Sequence, residues 1–233
     1  RDFPMFSYDP TYFLILPAML FAMWAQARVQ RAFNSYSRVR AQSGVTGAEV
    51  ARDILDRSGL GHVQVQQISG TLQDHYDPRV KILRLSSEVY ASNSLAALGV
   101  AAHEAGHAIQ HDENYVPLAV RSSLVPVASF GSRLAFPLFL IGLIFGQGLS
   151  WLMTVGIWLF IAAVAFSIVT LPVEYDASRR ALALLAQGGY VTREELPHAK
   201  EVLSAAGMTY LAATAVALTQ LLRLLILRGS RRD

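Results

Sequence analysis

The sequence from Leu134 to Val173 reads LAFPLFLIGLIFGQGLSWLMTVGIWLFIAAVAFSIVTLPV, and these 40 residues include no Asp, Glu, Lys or Arg. One membrane-spanning helix needs about 20 predominantly apolar residues. The stretch is therefore long enough for two such helices, and we predict a transmembrane hairpin over residues 134–171. The turn of the hairpin is predicted at Gly146-Gln147-Gly148, because two glycines interrupt the helical pattern there.

A second apolar run lies near the start of the sequence. Residues 10–27 carry no charge, and their number is close to the lower limit for a membrane span. We predict the first transmembrane helix over residues 9–28. Tyr12 and Trp24 are residue types that anchor helices at the membrane interface.

A third apolar run lies near the end of the sequence. It is charge-free from Val202 to Leu222, and a Leu-rich stretch continues to Leu227 beyond Arg223. We predict a fourth helix over residues 206–227. This helix either spans the membrane or is a buried or interfacial helix, because all three kinds of helix have a similar apolar composition.

The overall composition agrees with a membrane protein and limits its chemistry. Charged residues make up 16% of the 233 residues and hydrophobic residues 53%, with a mean hydropathy of +0.34, whereas soluble domains carry about 25% charged residues. The absence of cysteine excludes disulfides and thiolate zinc sites. The formal net charge is only +3, and the arginines lie mainly beside the apolar runs. This distribution favours lipid headgroups over nucleic acid as a partner.

The arginines beside the apolar runs predict an orientation in the cell inner (plasma) membrane. Four follow the first run and one precedes it: Arg28, Arg31, Arg38 and Arg40 against Arg1. By the positive-inside rule, residues 28–133 lie in the cytoplasm. The hairpin turn then lies outside, and Arg179 and Arg180 return to the cytoplasmic side. Three later arginines oppose this scheme if the fourth helix spans the membrane: Arg228, Arg231 and Arg232.

Residues 41–116 are predicted to form a small cytoplasmic α/β portion that begins with a helix. Thr46 and Glu49 have the spacing of a capping box at the start of this helix. The helix has an apolar face and ends at Gly59 and Gly61; the face comprises Ala48, Val50, Ala51, Ile54 and Leu55.

Two strands and a second helix follow in this portion. Residues 62–68 and 80–85 are rich in Val, Ile and Leu, which is typical of strands, and Asp77-Pro78 supplies a turn between them. Ser94 can cap the next helix, which is predicted to run from residue 95 to about Gln110.

This second helix carries the motif HEAGH. His103 and His107 are four residues apart, so their imidazoles project from one face of the helix and can bind one zinc ion. Glu104 can reach a water on the metal and accept its proton. Ala105 and Gly106 leave room for substrate or for a packed helix. An HExxH sequence on an uncharged helix therefore predicts a catalytic or structural metal site.

A third metal ligand must come from outside the motif. A three-His site needs a third His ten residues after His103, but Glu113 occupies that position. The best candidate is Glu174, which directly follows the hairpin on the cytoplasmic side and is predicted to open a helix to about Gln187. The alternative is a helix-start carboxylate stabilised by the helix dipole.

Other polar residues near these positions are further candidates. Asp176 and Arg179 could hydrogen-bond a ligand at Glu174 and orient it. The remaining candidates for the third ligand are Asp176, Glu194, Glu195 and His198. Three residues after the motif are expected to belong to a solvated helix end: His111, Asp112 and Glu113.

Several phrases of the sequence resemble a known family: YDPTYFLILP, WAQARV, TGAEVAR, DHYDPR, AAHEAGHAIQH, LVPVASFGSRLA and LPVEYDASRRA. The chain resembles the YugP-like family of bacterial membrane zinc metallopeptidases over nearly its whole length, and is more distantly similar to the HtpX and CAAX prenyl protease group. With the apolar runs, the resemblance implies a mainly α, polytopic membrane protein. We expect three to four transmembrane helices and a small α/β zincin-like cytoplasmic portion that carries the HExxH helix.

The resemblance also implies that the chain is a zinc peptidase of the gluzincin type, and it implies a set of site residues. One zinc ion per chain would be held by His103, His107 and Glu174, with Glu104 as the base. In the wider group an Asp ends the phrase E-(F/Y)-x-A-D. Here Ser178 stands at that position, so any role of the Asp would pass to Asp176 or be absent.

We predict an endopeptidase that cuts membrane or membrane-adjacent polypeptides on the cytoplasmic face. The strand at 80–85 could offer a sheet edge to an extended peptide, and an ordinary half-buried hairpin fits equally well. His75 could stabilise the oxyanion or take part in loop hydrogen bonding. A membrane-protein partner or a homo-oligomer is compatible with this function.

Two other functional classes are considered. A membrane scaffold with a structural or vestigial metal site would be favoured by a fourth protein ligand, such as His111 or Asp176, since catalytic zinc keeps an open position. A transporter is disfavoured because the apolar runs contain little internal charge, whereas ion pathways usually contain intramembrane carboxylates or His.

Overall fold

The computed structural model describes residues 11–146 and 148–230. Predictions that involve residues 1–10, Gln147, Arg231 or Arg232 lie outside this part of the chain. The described residues form seven helices and three strands, so the predicted mainly α fold class is confirmed. In chain order the elements are α1 Tyr12–Tyr36, α2 Gly47–Arg57, β1 Gln64–Ile68, β2 His75–Asp77, β3 Ile82–Ser86, α3 Ser87–Tyr90, α4 Leu95–Asp112, α5 Val116–Phe145, α6 Trp151–Gln187 and α7 Leu196–Gly229.

Four helices are long and apolar enough to cross a membrane: α1, α5, α6 and α7. Each overlaps one of the four predicted transmembrane helices, and the fourth, α7, also meets the length and composition of a span. Helix α5 begins at Val116, well before the predicted residue 134. Arg121 and Arg133 lie inside it, because two isolated arginines interrupt an apolar run without disfavouring helical backbone.

The structure corrects the predicted break before Glu174. Helix α6 continues through Pro172 to Gln187, so Glu174 lies inside a helix and does not open one. The interpretation of Glu174 as a helix-start carboxylate is therefore wrong. A helix of 37 residues extends about 55 Å, and the hydrocarbon core is about 30 Å thick. One helix can therefore span the bilayer and also carry a polar final segment.

The predicted division between residues 174–205 and a separate helix over 206–227 is also wrong. A turn with Gly189 at φ +69° follows α6, and one helix, α7, then runs to Gly229. Thr192 and Glu195 cap its start reciprocally, since the Glu195 carboxylate accepts from the Thr192 amide at 2.8 Å and the Thr192 hydroxyl accepts from the Glu195 amide at 3.2 Å. The polar residues His198, Lys200 and Glu201 lie in the first turns of this helix and do not interrupt it.

The chain divides into two compact units. Unit 1 comprises the described residues of 1–24, 121–169 and 210–233, and unit 2 comprises residues 25–120 and 170–209. In unit 1 a side chain at Gly156 would meet the Ala135 carbonyl oxygen at 2.5 Å. Small residues let membrane helices approach closely, so Gly156 permits the close contact between α5 and α6.

Contacts within unit 1 explain how α7 can carry a charged residue, Arg223, within its apolar run. Arg223 is 6% exposed, its guanidinium lies 3.9 Å from the centre of the Tyr12 ring, and its Nε donates to the Thr11 hydroxyl at 3.1 Å. A buried charge needs such partners because burial removes its hydration. Arg223 is therefore compatible with a helix that meets the criteria for a membrane span.

The sheet of unit 2 has the strand order β1-β3-β2. Strands β1 and β3 are parallel, and β2 pairs antiparallel with β3 across the predicted turn at Asp77-Pro78. The expected hairpin of segments 62–68 and 80–85 is therefore wrong, as is the expectation that the strand at 80–85 offers a free edge. Apolar patterning identifies strands but not their partners. The short strand β2 lies at one edge of this sheet.

Helix α4 lies in the core of unit 2. Its N-cap is Ser94, whose hydroxyl accepts from the Ala97 amide at 3.2 Å, and the predicted capping box of α2 is present at Thr46 and Glu49. Helix α4 packs against the apolar face of α2, and residues on several sides of it are fully buried, among them Leu95, Leu98, Ala101, Ala102 and Ala105. The HEAGH motif therefore belongs to a helix that the fold holds firmly.

Candidate metal centre

The two motif histidines face the same carboxylate. The ring centres of His103 and His107 are 4.7 Å apart and the rings are nearly perpendicular. Their Nε2 atoms lie 3.2 Å and 3.6 Å from Oε2 of Glu174. The three residues lie in unit 2, so α4 and the final part of α6 form one site.

Gly106 allows α6 to approach the motif closely enough to place Glu174 there. A side chain at this glycine would meet the Ala177 carbonyl oxygen at 3.0 Å. Glu174 is 3% exposed, and a buried carboxylate is costly unless it has hydrogen-bonding or metal partners. Gly106 was expected to leave room for substrate or for a packed helix, and it leaves room for helix α6.

The geometry and chemistry of the three residues fit a zinc ion. Each offers one ligand atom, and these atoms all lie within 4.8 Å of one another. Zinc ligands at 2.0–2.2 Å in tetrahedral geometry are about 3.4 Å apart, close to the two distances to Glu174. Two imidazoles and one carboxylate are a donor set of catalytic zinc sites. Among the described residues, no fourth His, Asp or Glu joins this group.

Glu104 lies beside the three-residue group without belonging to it. It is 8% exposed, and its Oε2 accepts the backbone N–H of Tyr76 on β2 at 2.9 Å. The edge strand thus fixes the position of a carboxylate that follows His103 directly. Its carboxylate is therefore an oriented acceptor next to the first motif histidine.

Two residues that the sequence reasoning did not assign contact the motif histidines. The Ser178 hydroxyl lies 3.2 Å from Nδ1 of His103, so the residue that stands in place of the Asp of the wider group contacts a motif histidine. Gln110 Oε1 lies 3.0 Å from Nδ1 of His107. Ser178 is four residues after Glu174 and Gln110 three after His107, and these helical spacings could have identified both residues.

Asp176, predicted to support a ligand, contacts the site through Gln110. It accepts from Gln110 Nε2 at 3.0 Å, from Arg179 at 2.5 Å and from Arg180 Nε at 2.6 Å. Arg179, also predicted as support, has a 69% exposed side chain, whereas the less exposed Arg180 also pairs with Glu113 at 2.7 Å. Asp176 therefore connects the site to the arginines of α6.

The other candidate ligands have partners elsewhere or point to solvent. The Glu195 carboxylate accepts from the Gln42 and Thr192 amides, and His198 Nδ1 lies 3.3 Å from the Tyr36 hydroxyl. Glu194 and Asp112 are exposed. The Tyr76 hydroxyl lies 2.9 Å from His111 Nδ1, so His111 has a partner on the edge strand. None of these residues joins His103, His107 and Glu174.

His75 lies on the edge strand and takes part in a loop network. Its Nε2 lies 3.2 Å from Arg84 and its Nδ1 2.8 Å from the Gln73 carbonyl oxygen. Because Arg84 can only donate, Nε2 accepts and Nδ1–H donates to Gln73. A role of His75 at the oxyanion stays a prediction.

Comparison with known proteins gives a consistent assignment. A family model described as "Putative neutral zinc metallopeptidase" matches residues 11–229. A relative from Bacillus subtilis (strain 168), named "Putative membrane protease YugP", is 46% identical over 221 residues, which cover 95% of this chain and 97% of the relative. No solved structure matches. The chain therefore belongs to the zinc metallopeptidase family that this model describes, as its YugP-like phrases predict.

Proposed function

We propose that the protein is an integral-membrane, zinc-dependent endopeptidase of the gluzincin type. In this proposal His103, His107 and Glu174 hold one zinc ion and Glu104 is the catalytic base. The observation that carries it is the convergence of the HEAGH imidazoles with a buried carboxylate 71 residues after His103. Glu104 directly follows His103 and does not belong to this group.

The chain's own residues have separate roles in the proposed reaction. A zinc ion in the site would acidify a water and polarise the scissile carbonyl. Glu104 would accept a proton from the attacking water and later deliver it to the leaving amine. The Tyr76 amide holds Glu104 in place, and the buried position of Glu174 keeps its carboxylate directed at the histidines.

A non-catalytic scaffold with a structural metal site is the alternative function. A structural zinc site is normally closed by four protein ligands, whereas a catalytic site keeps a position open. The two residues that could close this site have other partners in the described part of the chain. His111 bonds to Tyr76, and Asp176 bonds to Gln110, Arg179 and Arg180. This arrangement favours catalysis.

Metal removal tests the proposed function. The purified protein in detergent is expected to contain about one zinc ion per chain and to hydrolyse an unstructured protein such as casein. Treatment with a zinc chelator should abolish hydrolysis, and stoichiometric zinc should restore it. Activity that survives complete removal of the metal would refute the zinc mechanism.

We also propose that the site faces the cytoplasm and acts on polypeptides in or near the membrane. The arginines after the first apolar run support this orientation. The edge strand β2, bonded to Glu104, is the sheet edge nearest to the site and suits an extended peptide. The bilayer is the expected environment, and a membrane-protein partner or a second copy of the chain is compatible with it.

Cysteine labelling tests the orientation, because the chain has no cysteine of its own. Gln67→Cys on β1 and Ser150→Cys beside the hairpin turn both replace exposed residues. A membrane-impermeant maleimide should label Ser150→Cys in intact cells and Gln67→Cys only in inverted vesicles. The reverse pattern would place the site on the outer face.

A further inference from the structure

Gln110 is a fully buried polar side chain beside the proposed metal centre. It is 0% exposed and lies on α4, one turn after His107. Its Oε1 lies 3.0 Å from His107 Nδ1. Its Nε2 lies 2.9 Å from the Val173 carbonyl oxygen and 3.0 Å from Asp176 Oδ2. All these contacts lie within unit 2.

The partners of Gln110 determine the orientation of its amide. The Val173 carbonyl and the Asp176 carboxylate only accept hydrogen bonds, so the NH2 group must face them. The opposite orientation would place the amide oxygen against two acceptors. Asp176 also accepts from Arg179 and Arg180, and these contacts keep both of its oxygens in place as acceptors.

The orientation of Gln110 determines which nitrogen of His107 carries the proton. The amide oxygen accepts only, so Nδ1 of His107 must be the donor. A neutral imidazole with its proton on Nδ1 has a free lone pair on Nε2, and Nε2 is the atom that faces Glu174 at 3.6 Å. Without Gln110, His107 could instead place the proton on Nε2 and donate to Glu174, which would compete with a metal ion.

His103 has no comparable restriction. Its Nδ1 contacts the hydroxyl of Ser178 at 3.2 Å, and a hydroxyl can donate or accept. The two histidines of the motif therefore differ, because one has an imposed tautomer and the other adapts. The restriction on His107 depends on a chain of contacts through Gln110 to Asp176 and its arginines.

We propose that Gln110 is a positioning residue that holds His107 with its proton on Nδ1 and so keeps Nε2 available as a metal ligand. Asp176 acts behind it by fixing the amide orientation. This inference rests on the proposed assignment of His103, His107 and Glu174 as the metal ligands.

Substitution of Gln110 tests this role in the full chain in detergent. Gln110→Leu keeps a similar volume and removes both hydrogen-bonding functions. It is expected to lower zinc affinity, measured by competition with a chromophoric chelator, about 10- to 100-fold. Ser94→Ala is the matched control, since it removes a buried hydroxyl contact from the start of the same helix and should leave zinc affinity unchanged.

A double substitution separates hydrogen bonding from packing. Gln110→Glu alone retains an acceptor for His107 but directs a carboxylate at Asp176, so zinc affinity should fall. Adding Asp176→Asn removes the repulsion between the two carboxylates, and affinity should recover in part. The contacts to the Val173 carbonyl and to Arg180 are not restored, so recovery should be incomplete. Glu has nearly the volume of Gln, and Asn has nearly the volume of Asp. If Gln110 only fills space, these substitutions should therefore neither lower nor restore zinc affinity.

A spectroscopic measurement completes the test. In the zinc-loaded protein with 15N-labelled His, the Nδ1 proton of His107 should exchange slowly with water, and it should exchange fast in Gln110→Leu. Wild-type zinc affinity and an unchanged Nδ1 proton signal in Gln110→Leu would overturn the role of Gln110. If the wild-type protein binds no zinc at all, the metal site itself is refuted, which is a different result.

Discussion

Replacing Glu104 with Gln is expected to lower the rate of peptide hydrolysis about 10²- to 10⁴-fold, the usual contribution of a general acid–base group. The introduced amide has nearly the same shape as the carboxylate, and its oxygen can still accept from the Tyr76 amide. It cannot accept a proton from water at neutral pH. Zinc content and thermal stability should therefore remain close to those of the wild type.

The matched control for this substitution is Asp112→Asn on the same helix. Asp112 is exposed at the end of α4, so the control removes one carboxylate without touching the site. Hydrolysis of casein by the control should equal that of the wild type. A Glu104→Gln variant with wild-type kcat would show that another group accepts the proton.

Replacing Glu174 with Gln is expected to weaken zinc binding more than about 100-fold, beyond the range for residues that only orient a ligand. Glu174 is the only carboxylate in the three-residue group, and it is 3% exposed. A neutral amide supplies no negative charge to the cation and is a poor zinc ligand. Hydrolysis should be lost together with the metal, and equilibrium dialysis against buffered zinc measures the change.

Two control variants test the alternatives for the third ligand. Glu194→Gln replaces an exposed carboxylate that the sequence also allowed as a ligand, and it should retain zinc fully. Asp176→Asn should weaken binding less than Glu174→Gln, because Asp176 reaches His107 only through Gln110. Full zinc retention in Glu174→Gln with loss in Asp176→Asn would transfer the ligand role to Asp176.

The parts of the fold that the sequence predicts correctly depend on local patterns. The capping box at Thr46 and Glu49 and the cap at Ser94 are present as expected, because a cap satisfies amides within one turn of itself. The long apolar runs likewise predict the four membrane helices, since length and hydropathy alone define a candidate span. Helix ends were predicted less well, as α5 and α6 show, because helical backbone continues past the apolar residues.

Local sequence patterns predict contacts less well where the interacting residues are distant in sequence. Strand β3 pairs with β1 on one side and β2 on the other. The two apolar segments 62–68 and 80–85 do not distinguish this order from a simple hairpin, and the polar strand β2 has no apolar pattern of its own. The support of the site is a similar case. Ser178 and Gln110 have side chains that bond in many ways, so their contacts with His103 and His107 depend on how α6 packs on α4.

The sequence by itself determined the chemistry available to this protein: two histidines on one face of a helix with a carboxylate beside them, no thiolates, and enough apolar length for four membrane helices. The tertiary structure decided which carboxylate completes the group. Glu174 reaches the histidines because α6 continues past Pro172 without a break. The close approach of α6 also depends on Gly106, since the Ala177 carbonyl oxygen lies 3.0 Å from the position that a Cβ atom at Gly106 would take. A metal site needs several atoms from distant segments within a few ångströms, and only packing brings such segments together.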